Sequence, residues 1–249
     1  MPEPTQVRSM FSRIAGTYDL LNRVLSLGID RRWRRRAADL ALETGTGETV
    51  LDLCCGTGDL ALELRGRGTP TVGIDFTLPM LARAPGKVRS CHAGGLFIQG
   101  DALAIPLGSD SVGACTVAFG IRNVAAPERC LAEMARVVRP GGRVVVLEFT
   151  VPGPGLLGWL YRVYFTGFLP LLGRLVSRDA GAYSYLPETV MAWPDARAFQ
   201  AQFETAGLVD CGHRLLTGGI ACLHWGTVLA DAARGELGPV SGRPNPVGR

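Results

Sequence analysis

The sequence predicts an α/β fold in which a mostly parallel β-sheet is covered by helices on both faces. Short apolar runs rich in strand-forming residues recur near 49–53, 71–75, 95–99, 112–118 and 143–149. Segments with helical patterning fill most of the gaps between these runs, and the first run leads through glycines into a helix-forming segment. Strands that alternate with helices form parallel sheets, and ligands bind beyond the carboxyl ends of such strands.

Additional helices are predicted before the first strand, over residues 8–43. Apolar residues such as Met10 and Ile14 recur at the spacing of an amphipathic helix. Gly28 interrupts the pattern, and a further helix is expected from about Asp30. The α/β core therefore carries N-terminal helical additions.

The second half of the chain predicts two helices and a closing hairpin. One helix begins at Pro127 and is expected to end at the breakers 140–142. Another covers 198–207, where a glycine ends it. Strands near 208–214 and 219–228 are close enough to form a hairpin. The sheet edge is therefore expected to include an antiparallel strand.

Residues 151–187 interrupt the alternation with a long apolar segment. Arg162 and Pro170 break it, so we reject a membrane span and predict an apolar helical lid over an apolar substrate, with lipid at its outer side. Core packing of two helices is the alternative. Residues 231–249 have the composition of a disordered tail, so 1–230 are expected to form one domain.

Composition supports a reduced, metal-free protein. The seven cysteines are odd in number and contain no C-x-x-C pair, and the three histidines lack metal-ligand spacing. Hydrophobic residues make up 47% of the chain, which is ample for a full core. The N-terminus has no apolar stretch of signal-peptide type, so a cytoplasmic location is expected.

A cluster of arginines surrounds Trp33 in the second predicted N-terminal helix. Its members are Arg31, Arg32, Arg34, Arg35 and Arg36, in a chain whose net charge is only +4. Such a cluster can meet nucleic acid or an anionic membrane surface, or it can be an ordinary solvated helix face. Among the functional interpretations we prefer the membrane.

The glycine-rich turn at 52–59 is the main functional signal. It reads DLCCGTGD and lies between a strand-forming and a helix-forming run. A strand that turns on glycines into a helix presents bare backbone N–H groups to a ligand. Gly56 and Gly58 with Ala61 also fit the dinucleotide fingerprint, so the glycines alone leave the nucleotide open.

The acidic residues around this turn favour S-adenosylmethionine. Asp52 is placed to receive an ammonium group, directly or through water. Asp75 ends the second strand, where a carboxylate can accept both ribose hydroxyls. Asp101 follows the third strand and can accept the adenine amino group, while the Ala102 N–H donates to a ring nitrogen. This order is typical of class I methyltransferases, and a dinucleotide oxidoreductase is the alternative.

Six separated blocks resemble the menaquinone/ubiquinone C-methyltransferase family, over about residues 7–228. They are YDLLN at 18–22, GIDRRW at 28–33, VAFGIRNV at 117–124, VLEF at 146–149, DAGAYSYL at 179–186, and LTGGIA at 216–221 with His224. The resemblance implies methyl transfer from S-adenosylmethionine to a ring carbon of a polyprenylated quinol. Conversion of demethylmenaquinol to menaquinol is favoured, and methylation of a benzoquinol in ubiquinone synthesis stays open.

The resemblance also implies cofactor positions in this chain. The matching residues are Thr57, Asp75, Asp101 and Ala102. Ala118 stands where relatives commonly carry serine, which removes a hydroxyl but keeps the backbone groups. Cofactor binding is therefore expected to survive this departure.

Catalytic residues are expected after the fourth strand and in the lid. A quinol carbon becomes nucleophilic once an oxygen loses its proton, so the site needs a cation or donor beside that oxygen. Arg122 would stabilise the quinolate or organise a water, although an ion pair that holds the loop is the alternative. Asn123 would position an oxygen or that water. Tyr185, with Tyr183, would close over the ring or donate a hydrogen bond, unless both merely pack.

Weaker candidates and rival functions complete the prediction. Glu148 and Asp19 are weaker candidates for proton handling. An RNA or other small-molecule methyltransferase is a rival, but residues 118–121 read AFGI and lack the Asn/Asp-Pro-Pro-aromatic motif of base methylation. A cofactor-binding accessory protein of a quinone-synthesis assembly is the non-enzymatic rival. The expected partners are a polyprenyl quinol and the inner face of the membrane, without nucleic acid; a homo-oligomer stays open.

Overall fold

A seven-stranded sheet organises the computed structural model, which describes residues 3–26, 28–45, 47–84, 95–164, 167 and 180–229. Its strands follow the order β3-β2-β1-β4-β5-β7-β6. The strands are β1 (Val50–Leu53), β2 (Thr71–Asp75), β3 (Gly95–Gln99), β4 (Val112–Ala118), β5 (Val138–Phe149), β6 (Leu208–Leu216) and β7 (Ala221–Val228).

Strand directions confirm the predicted mostly parallel sheet. Strands β1 to β5 pair in parallel, and β7 is antiparallel to both β5 and β6. The antiparallel strand is therefore inserted next to the edge, and β6 forms the edge itself. From β1 the chain adds strands first toward β3 on one side and then, from β4, on the other side. This change of direction leaves a crevice at the carboxyl ends of β1 and β4, where such folds bind ligands.

Helices cover both faces of the sheet. They are α1 (Pro4–Ile14), α2 (Tyr18–Leu25), α3 (Asp30–Ala41), α4 (Asp59–Arg65), α5 (Leu78–Leu81), α6 (Pro127–Val137), α7 (Leu156–Val163), α8 (Ala180–Met191) and α9 (Ala196–Thr205). One apolar cluster packs α6 and α9 on one face through Leu131, Met134, Phe199 and Phe203. Another packs α3 and α4 on the opposite face through Trp33, Ala37, Leu60 and Leu64.

Helix α6 is shorter than its sequence predicts. It ends at Val137, and β5 begins at once because Val138 already has extended backbone angles. The predicted breakers 140–142 lie inside β5, where the pairing with β4 shifts between Val112 and Ala114. A Cβ on Gly142 would lie 2.4 Å from a backbone oxygen, so the glycine serves this close approach and not the end of a helix.

Trp33 anchors α3 beneath the carboxyl end of the sheet. Its ring lies 6.1 Å from Phe119 and 6.2 Å from Phe149, and its Nε1 donates to the Thr217 hydroxyl at 2.9 Å. Arg34 also faces inward, and it forms ion pairs with Asp30 and Asp59. The predicted surface cluster therefore loses Arg34, while its four neighbours stay exposed.

The predicted lid is described only at its two ends. Helix α7 forms one end and α8 the other, while residues 165–166 and 168–179 lie outside the described part. The predicted tail, 231–249, lies outside it as well. None of the described helices combines the length and the apolar composition that a membrane span requires.

Candidate active site

A cavity of about 420 Å³ opens at the carboxyl ends of β1 to β4. The sheet side contributes residues that the sequence singled out, namely Gly56, Asp75, Asp101, Ala102, Ala118 and Asn123. The N-terminal helices cover the opposite side with Arg8, Phe11 and Tyr18. The cavity is therefore a cleft roofed by elements outside the α/β core.

The glycine turn forms one wall of this cavity by adopting left-handed backbone angles. The φ angle is 52° at Cys54, 55° at Gly56 and 83° at Gly58, which directly precedes α4. A Cβ added at Gly58 would lie 3.1 Å from the Ala84 Cβ. Both space and backbone conformation therefore require glycine there, and the turn keeps its backbone bare toward a ligand.

Asp75 joins the glycine turn to the end of β2. Its carboxylate accepts the Gly56 N–H at 2.9 Å and the Thr77 N–H at 2.7 Å. Burial raises the pKa of this carboxyl above its ordinary value, although the two backbone donors oppose that shift. The sequence-predicted acid therefore lies on the cavity wall in a polar, pre-organised setting.

Asp101 and Ala102 follow β3 and also line the cavity. One Asp101 oxygen accepts the Leu103 N–H at 2.9 Å, which fixes the loop, and the Asp101 side chain remains exposed. Because β2 and β3 are neighbours in the sheet, Asp75 and Asp101 stand side by side at its edge. Both acids therefore follow the strands after which the sequence placed them, and their predicted contacts with ribose and adenine stay predictions.

Asp52 lies beneath the turn and is not on the cavity wall. It is buried, its Oδ2 accepts the Ala61 N–H at 2.9 Å, and Thr116 lies 3.5 Å from Oδ1. Burial raises the pKa of its carboxyl from 3.8 to about 7. Asp52 thus holds the first turn of α4 against β1, and its predicted contact with an ammonium group stays a prediction.

Thr57 also lies behind the cavity wall, where it fastens the turn to α2. Its hydroxyl donates to Asp19 Oδ1 at 2.6 Å. Proton handling by Asp19 stays a prediction, and this hydrogen bond gives Asp19 a structural contact. The neighbouring Tyr18 lines the cavity, and burial raises the pKa of its phenol. Tyr18 belongs to the block 18–22, and a lone aromatic in a predicted helix carries no sign in the sequence that it faces a cavity.

Arg122 forms a buried ion pair with Glu148. The arginine lies in a short 3-10 helix, Ile121–Asn123, and Glu148 lies near the end of the adjacent strand β5. Arg122 Nη1 also donates to the Phe119 carbonyl at 3.0 Å, and the guanidinium lies over the Phe149 ring. Arg122 is not on the cavity wall, so the contact that the structure shows is the ion pair that holds this loop.

Asn123 and Tyr185 meet at the cavity. The Tyr185 hydroxyl donates to Asn123 Oδ1 at 2.9 Å, which leaves the amide nitrogen as the group that Asn123 can offer a ligand. Burial raises the pKa of Tyr185, and the Arg122 charge partly opposes this. Tyr185 also packs against Met10 of α1, as Phe11 and Ile14 do. The Tyr183 side chain lies outside the described part.

Comparison with known proteins identifies the family of this chain. The sequence model of the ubiE/COQ5 methyltransferase family matches residues 2–228. The chain belongs to this family. The resemblance drawn from the six sequence blocks is thereby confirmed.

Among the described residues, no group of three or more His, Cys, Asp or Glu side chains could hold a metal ion.

Two named relatives agree with this assignment, and one solved structure shares the fold. The chain is 51% identical over 219 residues to the demethylmenaquinone methyltransferase of Thermus thermophilus, covering 87% of this chain and 99% of that protein. It is 43% identical over 226 residues to the ubiquinone/menaquinone biosynthesis C-methyltransferase of Geobacter sulfurreducens, covering 89% and 88%. A SAM-dependent methyltransferase of Thermotoga maritima shares the fold with a TM-score of 0.62 at 16% identity, covering 89% and 99% of the two chains.

The protein is accordingly an S-adenosylmethionine-dependent methyltransferase with the class I fold. The cavity fits this cofactor, because it combines a bare glycine turn with acids at the ends of β2 and β3. The dinucleotide oxidoreductase alternative is thereby set aside.

Proposed function

We propose that this enzyme methylates a ring carbon of demethylmenaquinol to give menaquinol, with S-adenosylmethionine as the donor. The observation that carries this proposal is a single cavity lined both by the nucleotide-type residues of β1–β3 and by Asn123, whose amide oxygen accepts a hydrogen bond from Tyr185. The proposal also rests on the Thermus relative, which bears the name of this reaction.

In the cofactor half of the cavity, each wall residue would contact one part of S-adenosylmethionine. Asp75 would accept the ribose hydroxyls, Asp101 and the Ala102 N–H would hold the adenine, and the backbone at Gly56 and Ala118 would meet the methionine portion. When bound, the cofactor supplies an electrophilic sulfonium methyl. Thr57, Gly58 and Asp52 would act from behind by keeping the turn and the start of α4 in place.

The acceptor half must stabilise negative charge on a quinol oxygen. The Asn123 amide can donate to that oxygen because its own carbonyl is occupied by the Tyr185 hydroxyl. A fixed donor aimed at a developing oxyanion contributes about 3 kcal/mol to a reaction barrier. Asn123 would thus position and stabilise the quinolate, and Tyr185 would orient Asn123.

Arg122 would support this site with its charge and not as a base. Its guanidinium is paired with Glu148, and an arginine stays protonated at physiological pH. Its positive charge nevertheless lowers the pKa of both Tyr18 and Tyr185 against the larger effect of burial. The same field would favour a quinolate bound between these two side chains.

A benzoquinol acceptor is the second candidate. The Geobacter relative is named for both ubiquinone and menaquinone biosynthesis, so its name includes both ring systems. Either acceptor carries a polyprenyl chain that dissolves in a bilayer. Peripheral contact with the cytoplasmic face of the membrane is therefore part of this proposal, and nucleic acid has no part in it.

The test is a methyl-transfer assay with labelled S-adenosylmethionine and reduced, short-tailed demethylmenaquinol beside the matching benzoquinol. Label in menaquinol alone supports the proposal, whereas label in both quinols supports the broader activity. Tight cofactor binding without transfer to either quinol would contradict the proposal and favour another acceptor or an accessory role.

A further inference from the structure

Helix α7 presents an apolar stripe to the exterior of the protein. Its members are exposed by 73% at Leu156, 59% at Trp159, 49% at Leu160 and 50% at Val163. Because the residues are spaced by three, four and seven positions, they lie on one side of the helix. Single exposed apolar residues are ordinary, but four large ones in one stripe mark an interaction surface.

The other side of α7 packs close to the acceptor half of the cavity. Tyr161 is buried in a cluster with Val190 of α8, and Phe149 at the end of β5 packs against this cluster. The Arg122 guanidinium lies over the same Phe149 ring, 5.4 Å from its centroid. Helix α7 and the loop that carries Asn123 therefore both adjoin the packing around Phe149.

Exposed arginines lie at the same end of the molecule. The Trp33 ring of α3 lies 6.2 Å from the Phe149 ring, so α3 and the cluster of Tyr161 and Val190 both adjoin Phe149. Arg31 and Arg32 precede Trp33 directly, and both are exposed. An apolar stripe and a cationic helix end thus flank one buried aromatic residue.

We propose that α7 inserts this stripe into the surface of an anionic lipid bilayer while Arg31 and Arg32 contact the headgroups. A tryptophan among aliphatic side chains suits the bilayer interface, and nearby arginines are attracted to anionic lipid. An anionic bilayer can bind both the apolar stripe and the exposed arginines. In a symmetric dimer formed through this end, the arginines of the two copies would instead repel each other. The proposal rests on the proposed function in one respect, because a polyprenyl acceptor would be drawn from that bilayer.

Vesicle flotation tests this surface without quinol or methyl donor, so its outcome is independent of the proposed reaction. The vesicles consist of phosphatidylcholine with or without phosphatidylglycerol. We expect Trp159→Gln to weaken binding by about tenfold, as loss of one large apolar side chain predicts. Leu96→Gln is the matched control, because Leu96 is 58% exposed but lies at the opposite end of the sheet.

The charge contribution is tested with Arg31→Gln/Arg32→Gln. This double variant should lose binding to anionic vesicles at low salt and should match the parent protein at high salt. Unchanged melting temperatures would show that each variant is folded. Equal binding of the parent and Trp159→Gln would overturn the proposal. Concentration-dependent dimers that Trp159→Gln abolishes, without vesicle binding, would assign the surface to a second copy.

Discussion

At the residue scale, the Asn123 amide is useful to a quinol only if its nitrogen faces the cavity. In the proposed function the Tyr185 hydroxyl favours this orientation, because it donates to the amide oxygen at 2.9 Å. The orientation depends on a hydroxyl from a helix more than sixty residues away in the sequence. In the proposed function, the hydrogen-bonding role of Asn123 thus depends on Tyr185.

This dependence predicts graded kinetic losses. Asn123→Ala should lower kcat by about 10²-fold, because the donor to the quinolate is lost. Tyr185→Phe should lower kcat by roughly tenfold, because the amide stays but can turn. The KM for S-adenosylmethionine should change little in either variant. Tyr164→Phe, which loses a hydroxyl outside the cavity wall, is the control, and a kcat for Tyr185→Phe equal to that of the control would contradict the orienting role.

Gly58 and Gly68 both have positive φ angles, but only Gly58 is also crowded by neighbouring atoms, so substitutions at the two positions distinguish backbone strain from steric crowding. Gly58 has a φ of 83° and its added Cβ would crowd Ala84, whereas Gly68 has a φ of 78° with open space around it. Gly68→Ala should therefore lower the free energy of unfolding by about 1 kcal/mol. Gly58→Ala should lower it by roughly 2 kcal/mol or more and should also weaken cofactor binding. Calorimetric titration and denaturant melts measure both effects, and equal losses in the two variants would contradict the packing argument.

At the element scale, the ion pair between Arg122 and Glu148 joins the loop after β4 to β5. Both side chains are buried, so removing one leaves an uncompensated charge. Glu148→Leu should lower the free energy of unfolding by about 3–5 kcal/mol, and adding Arg122→Met should recover much of the loss. Glu43→Gln breaks the more exposed pair with Arg143 and should cost less than about 1 kcal/mol. Similar losses in Glu148→Leu and Glu43→Gln would refute a stabilising role for the buried pair.

The same elements show which features a sequence can predict. The strands, the glycine turn and the acids Asp75 and Asp101 follow from local patterns, because a parallel sheet gathers its strand ends at one edge. The partner of Arg122 does not follow, since Glu148 is brought near only by the order in which β4 and β5 pair. Arg34 likewise faces inward, where it forms ion pairs with Asp30 and Asp59. The spacing of the arginines in the sequence does not predict these ion pairs.

At the scale of the whole molecule, two buried groups give opposite pH dependences. Burial lowers the pKa of His224 from 6.5 to about 4, so the unfolded chain binds the extra proton between these values and stability falls as pH falls. Burial raises the pKa of Asp52 from 3.8 to about 7, so the folded chain holds the extra proton and stability falls as pH rises. Over the shared window, about pH 4 to 6.5, the two slopes oppose each other.

Variants should separate these slopes. Asp52→Asn should leave a protein whose stability falls by about 3 kcal/mol from pH 6.5 to pH 4, because only the His224 contribution remains of the pair. His224→Phe should show the reverse trend across the same window. Denaturant midpoints measured at several pH values provide the data, and parallel pH profiles for the two variants would contradict this assignment.

The hydrogen bond between Thr57 and Asp19 has a consequence for turnover. It ties α2 to the turn on which the methyl donor would rest in the proposed function, while α1 and α2 roof the cavity. A methyltransferase must exchange S-adenosylhomocysteine for fresh donor once in every cycle, and in the proposed function this exchange takes place beneath the roof. We therefore expect the N-terminal helices to part from the sheet in each round of catalysis, so that the lifetime of one threonine–aspartate contact bears on the speed of the enzyme.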